Sequence, residues 1–333
     1  MMNIAETQQK LAAAFGPAGQ EGSVADVIAE MAKPYADELI TDRLGSLIAV
    51  KKGAGKTKVM FSAHMDSLGL IVTHIDENGF VYFSNLGGLS VWRIYGTAVR
   101  FQNGVRGVVF INGKADAKEP KLSDLYIDIG AKDEKSARGK VQVGDVAVFD
   151  QPTFTMGDGL LASPYLDDRI ACVILLEAMR QIPETENDLY FVFSAQEEVG
   201  LRGARTAAYG IAPDVGIAVD VTATGDTPEA KPKMECKLRG GAAVKIMDAS
   251  VICHPKVVAW LEAAAEREGI PHQREVLERG GTDAGAMQIS RSGAYAGAIS
   301  VPTRYIHNPI ELCAVEDVEA CVRLVRAACD IRV

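Results

Sequence analysis

Val59-Met60-Phe61-Ser62-Ala63-His64-Met65-Asp66 is the stretch on which the reading of this chain turns. A short apolar run of buried-strand type delivers a histidine and a carboxylate at its end. The arrangement recurs. Residues 189–194 feed Glu197-Glu198, Ile217-Ala218-Val219 runs into Asp220, and residues 294–300 precede Tyr305-Ile306-His307. Strand ends of an open α/β sheet converge on one crevice. Histidines and carboxylates gathered there are the donors that two hard or borderline divalent cations need. The pattern predicts a two-metal hydrolase.

Upstream of that stretch, residues 3–15 and 22–33 read as helices, and residues 39–50 as a hairpin through Arg43-Leu44-Gly45. Downstream, the character changes after Asp66. Leu70-Ile71-Val72 and Phe80-Val81-Tyr82-Phe83 flank Asn78-Gly79, a strong hairpin signal. Short β runs follow at 98–101, 105–111, 125–129 and 146–149, with a polar loop around Asp116-Ala117-Lys118-Glu119-Pro120. This spacing predicts a small β-barrel or sandwich over residues 68–160. At Asp167 the α/β pattern resumes. Ile170, Val173, Ile174, Leu176 and Met179 share a helix that Pro183 stops. Further helices are expected over 255–268 and where Val315, Val318, Val322 and Val325 recur. Residues 1–67 and 161–333 are therefore expected to form one α/β domain interrupted by the β module.

A chain of 333 residues with 48% hydrophobic content has enough material for a sizeable core. A net charge of −9 argues against a nucleic-acid partner, which requires a basic face. Cys172, Cys236, Cys253, Cys313, Cys321 and Cys329 show no CxxC pairing and are expected to be buried free thiols in a reducing cytoplasm. Met1-Met2-Asn3-Ile4-Ala5-Glu6 lacks the basic start and apolar run of a signal peptide. No apolar stretch of about 18 residues is present, so no membrane span is expected.

Each candidate also has a plainer reading. His64 with Asp66 two residues on can be a ligand whose ring the carboxylate orients, or a hydrogen-bonded histidine at a strand end. Asp167-Asp168 suits a helix N-terminus through the dipole; the functional alternative makes Asp167 a bridge with one oxygen for each cation. Ser194-Ala195-Gln196-Glu197-Glu198-Val199-Gly200 is sharper. One glutamate can ligate metal while its neighbour accepts a proton from a water acidified by the cation; the alternative is a surface turn. Asp220 and His307 fit strand-end turns as well as ligands. His74, His254 and His272 read as structural or surface residues. Gly280-Gly281-Thr282-Asp283-Ala284 is a glycine-rich turn into a helix, without the Lys-Ser/Thr of a P-loop. It is expected to shape the substrate pocket through Gly281, Thr282 and Asp283.

Together these motifs resemble those of the tetrahedral dinuclear-metal aminopeptidases, the glutamyl/leucyl aminopeptidase type often mislabelled as endoglucanases. Ala63-His64-Met65-Asp66, Leu166-Asp167-Asp168-Arg169, Gln196-Glu197-Glu198-Val199-Gly200, Asp220-Val221-Thr222, Gly281-Thr282-Asp283-Ala284 and Arg304-Tyr305-Ile306-His307 stand in family order over nearly the whole chain. The resemblance implies a three-layer α/β/α metallopeptidase domain with an inserted small β-barrel-like domain used for dimerisation. It implies two divalent ions per chain (zinc, cobalt or manganese), one served by His64 and Asp220, the other by Glu198 and His307, with Asp167 between them. Glu197 would be general base and then general acid, and Asp66 would orient His64. It implies dimers, and six dimers joined in a tetrahedral dodecamer. The chain departs from the family where Ser67 follows Asp66, where Gly87-Gly88 leads to Leu89-Ser90-Val91-Trp92, and where no histidine stands near Gly113-Lys114-Ala115.

The expected activity is release of N-terminal residues from short peptides. The rivals are an N-acyl amino acid deacylase on the same metal site, a glycosidase using Glu197 and Glu198, and a non-catalytic assembly or sugar-operon accessory protein. Adjacent residues on an extended strand point to opposite faces. The two glutamates are therefore not expected to face each other as a glycosidase pair, about 5 Å or more apart across one site.

Overall fold

The computed structural model describes every residue except Met1, Met2, Lys56, Ala117, Pro183, Pro232 and Val333. Its larger sheet is built around Lys58–His64, the strand that holds the opening motif. Asp188–Ser194 and Val215–Thr222 pair parallel to it on either side, and Tyr295–Arg304 continues parallel beyond Val215–Thr222. The Glu38–Thr41 and Leu47–Lys51 hairpin pairs antiparallel at one side. Glu311–Ala314, Leu160–Ser163 and Phe154–Met156 complete the other. Parallel strands covered on both faces are apolar at every position. Lys58–His64 shows why: Val59, Phe61 and Ala63 pack into one core, and Met60 into the opposite one.

Helices fill both faces. Leu166–Gln181 and Val315–Ala328 lie with Ile4–Ala13 and Gly22–Ala32 over the larger core, while Arg202–Ile211 and Asp283–Gln288 cover the smaller. This is the expected three-layer α/β/α domain. Leu166–Gln181 ends before Pro183, the expected stop, which lies outside the described residues, as does Ala117 of the polar loop. All six cysteines are buried and unpaired. No helix among the described residues is long and apolar enough to cross a membrane.

The inserted module is a closed barrel. Its strands run in the order Gly69–Ile75, Val81–Leu86, Leu125–Asp128, Arg106–Ile111, Ala98–Phe101 and Val146–Phe149. The Asn78-Gly79 turn forms as expected: Gly79 takes φ 88°, and the Asp76 carboxylate accepts from the N–H groups of Asn78 and Phe80. The barrel closes before residue 160. Its last strand ends at Phe149, and Phe154–Met156 instead turns through Gly157 and Gly159, both at positive φ, to pair with Leu160–Ser163 in the larger sheet.

Candidate metal centre and active site

Strand register assembles the site. Ser194 pairs with His64, and Ala218 with Ser62, so Asp220 comes level with His64 two residues further on. Asp220 lies inside its strand rather than just past it, because Val215–Thr222 continues to Thr222. His307 reaches the same crevice from the loop after Tyr295–Arg304, with its own backbone and that of Tyr305 at positive φ.

The side chains converge around Asp167. Its Oδ1 lies 3.0 Å from His64 Nε2 and its Oδ2 3.3 Å from His307 Nε2. His307 Nε2 is also 3.6 Å from Glu198 Oε2. His64, Asp167 and Asp220 bring one ligand atom each within 4.8 Å of one another, and so do Asp167, Glu198 and His307. Two donor triads thus share one carboxylate, and Glu197 Oε2 stands 3.8 Å from His64 Nε2.

These groups fit divalent cations. All are nitrogen or carboxylate oxygen donors, the set that borderline and hard ions take. Glu198 Oε1 is buried with no hydrogen-bond partner. Burial drives the Glu197 and Glu198 carboxyls well above the usual range and Asp220 up to about 8. Burial also opposes charging of His64, yet Glu197, Asp167 and Asp66 outweigh it and raise its pKa. Asp167 goes the other way: burial alone would raise it, but the His307 and His64 rings hold it low. A cation at either triad neutralises this crowding, since a bound ion inverts the local pKa logic.

A second layer of contacts holds these groups. The Asp66 carboxylate accepts from the N–H groups of Glu197 and Glu198 at 2.9 and 3.1 Å, while His64 Nδ1 lies 3.1 Å from the Asp66 carbonyl and 3.4 Å from its carboxylate. Asp66 therefore sets the glutamate backbone as well as the His64 ring. Asp168 turns from the crevice to accept from the His64 N–H. Glu311 was not anticipated from the sequence. Its two oxygens accept from the N–H groups of Asp167 and His307 at 2.8 and 2.9 Å, tying the shared carboxylate to His307 of the second triad. A carboxylate inside the apolar run Ile310-Glu311-Leu312-Cys313 was its available signal.

Two expectations need correction. The strand before the glutamates ends at Ser194, and Gln196 takes φ 58°, so Glu197 and Glu198 both line the cavity instead of diverging. The strand-alternation argument against a glycosidase pair therefore fails here. Of the glycine-rich turn, Gly280 and Gly281 line the cavity, but Thr282 and Asp283 do not. The Asp283 carboxylate is buried beneath the strand ends, accepting from the Ser62 and Ser194 hydroxyls at 2.6 Å each, and Thr282 donates to Asp248.

The barrel supplies one wall. A Cβ on Gly87 would come 3.0 Å from Glu198 Oε2, and one on Gly88 3.0 Å from His307 Nδ1, so side chains at either position would press on the second triad. Arg93 donates to the Ile306 carbonyl at 3.0 Å. The cavity enclosed measures about 700 Å³.

A sequence model of the M42 glutamyl aminopeptidases matches residues 45–324. The chain belongs to this family. It is 47% identical over 323 residues to a putative aminopeptidase of Acetivibrio thermocellus, covering 96% of this chain and 97% of that one. It is 36% identical to the lysyl aminopeptidase of Pyrococcus furiosus, covering 97% and 95%. Among solved structures it resembles the TET1 peptidase of Pyrococcus horikoshii, which can assemble into a tetrahedron or a large octahedral shell. The TM-score is 0.90 at 30% identity, over 99% of this chain and 100% of that one. M42 membership makes the chain a peptide hydrolase of the aminopeptidase type and implies divalent metal use.

Proposed function

We propose that this M42 chain is a dinuclear aminopeptidase that releases N-terminal residues from short peptides, with Glu197 as general base. The observation that carries it is the pair of donor triads sharing Asp167. His64, Asp167 and Asp220 would hold one cation and Asp167, Glu198 and His307 the other; zinc, cobalt and manganese suit this donor set. When bound, the cations supply Lewis acidity toward the scissile carbonyl and lower the pKa of the attacking water. Glu197, a cavity-lining carboxylate outside both triads, accepts the water proton and returns it to the leaving amine. Asp66 fixes the backbone of the base and of the neighbouring ligand together. Glu311 holds Asp167 and His307 in register.

The barrel is the proposed assembly module. Trp92, Tyr95, Val108 and Phe110 are exposed on it, and the Tyr95 and Phe110 rings meet at 5.7 Å. An apolar group of this kind marks an interaction surface, and the TET1 likeness favours a second copy of this chain, as a dimer and then a tetrahedral dodecamer. Buried free thiols fit a cytoplasmic location.

Glu197→Gln tests the base. The amide keeps the shape, so kcat should fall about 10²–10⁴-fold while metal analysis still finds both cations. Near wild-type turnover would sink the assignment. Aminoacyl-nitroanilides assayed beside N-acetyl amino acids separate the peptidase from a deacylase on the same site.

A further inference from the structure

The positive φ of Gln196 turns both glutamates into the cavity, and a non-glycine residue stays in that region only where its surroundings hold it there. Arg202 holds one side of Gln196. Its N–H donates to the Gln196 carbonyl at 3.2 Å and its Nη1 to the Gln196 side-chain oxygen at 3.0 Å. Glu21 holds the other side from 175 positions upstream, its Oε1 accepting from the Gln196 N–H at 3.0 Å and from the Gly19 N–H at 2.7 Å. Glu21 is only 4% exposed. It stands just before the helix Gly22–Ala32, yet its side chain makes no capping bond there. Asp66 takes the N–H groups of Glu197 and Glu198, so three successive amides end on two buried carboxylates. The segment that carries Glu21 is itself tied to the site. Ala18 N–H donates to the Ser67 carbonyl, and Ser67 N–H, directly after Asp66, to the Gly16 carbonyl, at 3.1 Å each. Arg169 donates to the same Gly16 carbonyl from beside Asp168.

We infer that Glu21 is a positioning residue for the general base: by holding the Gln196 N–H it fixes the turn that aims Glu197, and so sets turnover from outside the cavity. The inference rests on the aminopeptidase reading with Glu197 as base. Glu21 belongs to neither donor triad and does not line the cavity. A cation at the second triad would hold the Glu198 side chain in place. Glu197, outside both triads, depends on its backbone for its aim. Proton transfer needs the base within hydrogen-bond reach of the proton it takes, and a misplacement of about 1 Å can cost on the order of 10²-fold in rate. Without Glu21 the Gln196 N–H loses its acceptor, and the torsion next to it passes any error to Glu197 one residue on. The role needs an acceptor and not a charge, since an amide carbonyl at the same place can accept the same two bonds.

Glu21→Leu, Glu21→Asp and Glu21→Gln are compared with wild type as metal-replete protein on an aminoacyl-nitroanilide. Ser46→Ala is the control, because the Ser46 hydroxyl accepts from the neighbouring Ala195 N–H at 3.2 Å. Glu21→Leu removes the acceptor, and Glu21→Asp draws it back by one methylene. Both should lower kcat by about 10- to 100-fold, with KM within about twofold and metal content unchanged. Glu21→Gln keeps the acceptor and should hold kcat within about threefold, as should Ser46→Ala. Hydrogen exchange of residues 194–201 in metal-free protein reads the same bond without turnover. Glu21→Leu and Glu21→Asp should speed exchange there and Glu21→Gln should not, while the strand Lys58–His64 exchanges as in wild type. If Glu21→Leu does not fold, Glu21→Asp carries the test. Full turnover in the folded Leu or Asp variant overturns the proposal. So does a loss that Glu21→Gln shares, or one that Ser46→Ala matches. If Glu197→Gln keeps its turnover while Glu21→Asp loses kcat and amide protection together, the base assignment fails and Glu21 still holds the turn. If Glu197→Gln is crippled and Glu21→Asp is not, the base stands and the role of Glu21 falls.

Discussion

The sheet domain and the barrel are solved by opposite means. Among the described residues twenty-seven polar or charged ones are buried, and none of them lies between Gly69 and Phe149. The barrel core is wholly apolar, from Leu70 and Val72 to Val148 and Phe149. Its leftover apolar surface faces outward, at Trp92, Tyr95, Val108 and Phe110. The sheet domain instead draws charge inward. His64, Asp66, Asp167, Asp168 and Asp220 are all under one-tenth exposed at the strand ends. Burying charge is expensive unless it is paired or metal-bound. The expense falls at the candidate metal centre, and the barrel, which gives that centre only a wall through Gly88 and Arg93, avoids it.

The difference can be broken most severely at Asp167. Asp167→Asn removes charge from both triads at once, and activity should fall on the order of 10³-fold or more, the scale of lost Lewis-acid stabilisation. Metal analysis should show both sites weakened; unchanged content at one ion per triad would mean Asp167 is not shared. Lys245 tests buried charge outside the two donor triads. Its ammonium is fully buried, 2.5 Å from Glu275 and 3.2 Å from Asp248. Lys245→Met leaves two buried carboxylates without their cation and should cost about 3–5 kcal/mol in urea unfolding. A loss under about 1 kcal/mol would show that the sheet domain tolerates unpaired charge. On the barrel, Trp92→Ala should leave folding nearly intact. It should weaken self-association by about 30-fold, as expected for an aromatic anchor worth about 2 kcal/mol. Sedimentation over a concentration series decides it, and an unchanged dissociation constant moves the interface elsewhere.

Legibility in the sequence followed locality. His64, Glu198, Asp220 and His307 each sit near the end of an apolar run, so the pattern within about ten residues was enough to single them out as candidates, and the fold brings them to one cavity. The Asn78-Gly79 hairpin was legible for the same reason. What stayed hidden depends on distant partners. Arg169 is fully buried, donating to the carbonyls of Leu11, Ala14 and Gly16 and so holding the end of Ile4–Ala13 beneath the site. Nothing around Arg169 in sequence announces carbonyls some 150 residues away. Glu311 is the same case, bonded to Asp167 across 144 positions. Asp283 is expected in the pocket because it stands in a glycine-rich turn into a helix, whereas Ser62 and Ser194 draw it underneath. The facing of Glu197 and Glu198 turned on one residue, Gln196, whose positive φ no side-chain pattern specifies.

The smallest expected effect lies where the barrel does carry charge. Arg100 and Arg106 pair across adjacent strands and share Asp150, at 3.8 and 2.8 Å. The Arg106 side chain is 73% exposed and that of Asp150 26%, so water competes for the contact and holding two long side chains offsets the attraction. Arg106→Ala leaves Arg100 beside Asp150 and two like charges no longer opposed across the ladder. The change in unfolding free energy should stay below about 1 kcal/mol and shrink further in about 0.5 M salt, where screening acts over a few ångströms. Denaturant midpoints of wild type and variant at low and high salt measure it. A loss as large as that of Lys245→Met, or one that salt leaves untouched, would mean that the barrel too is held together by its charges, and the division between the two regions would not stand.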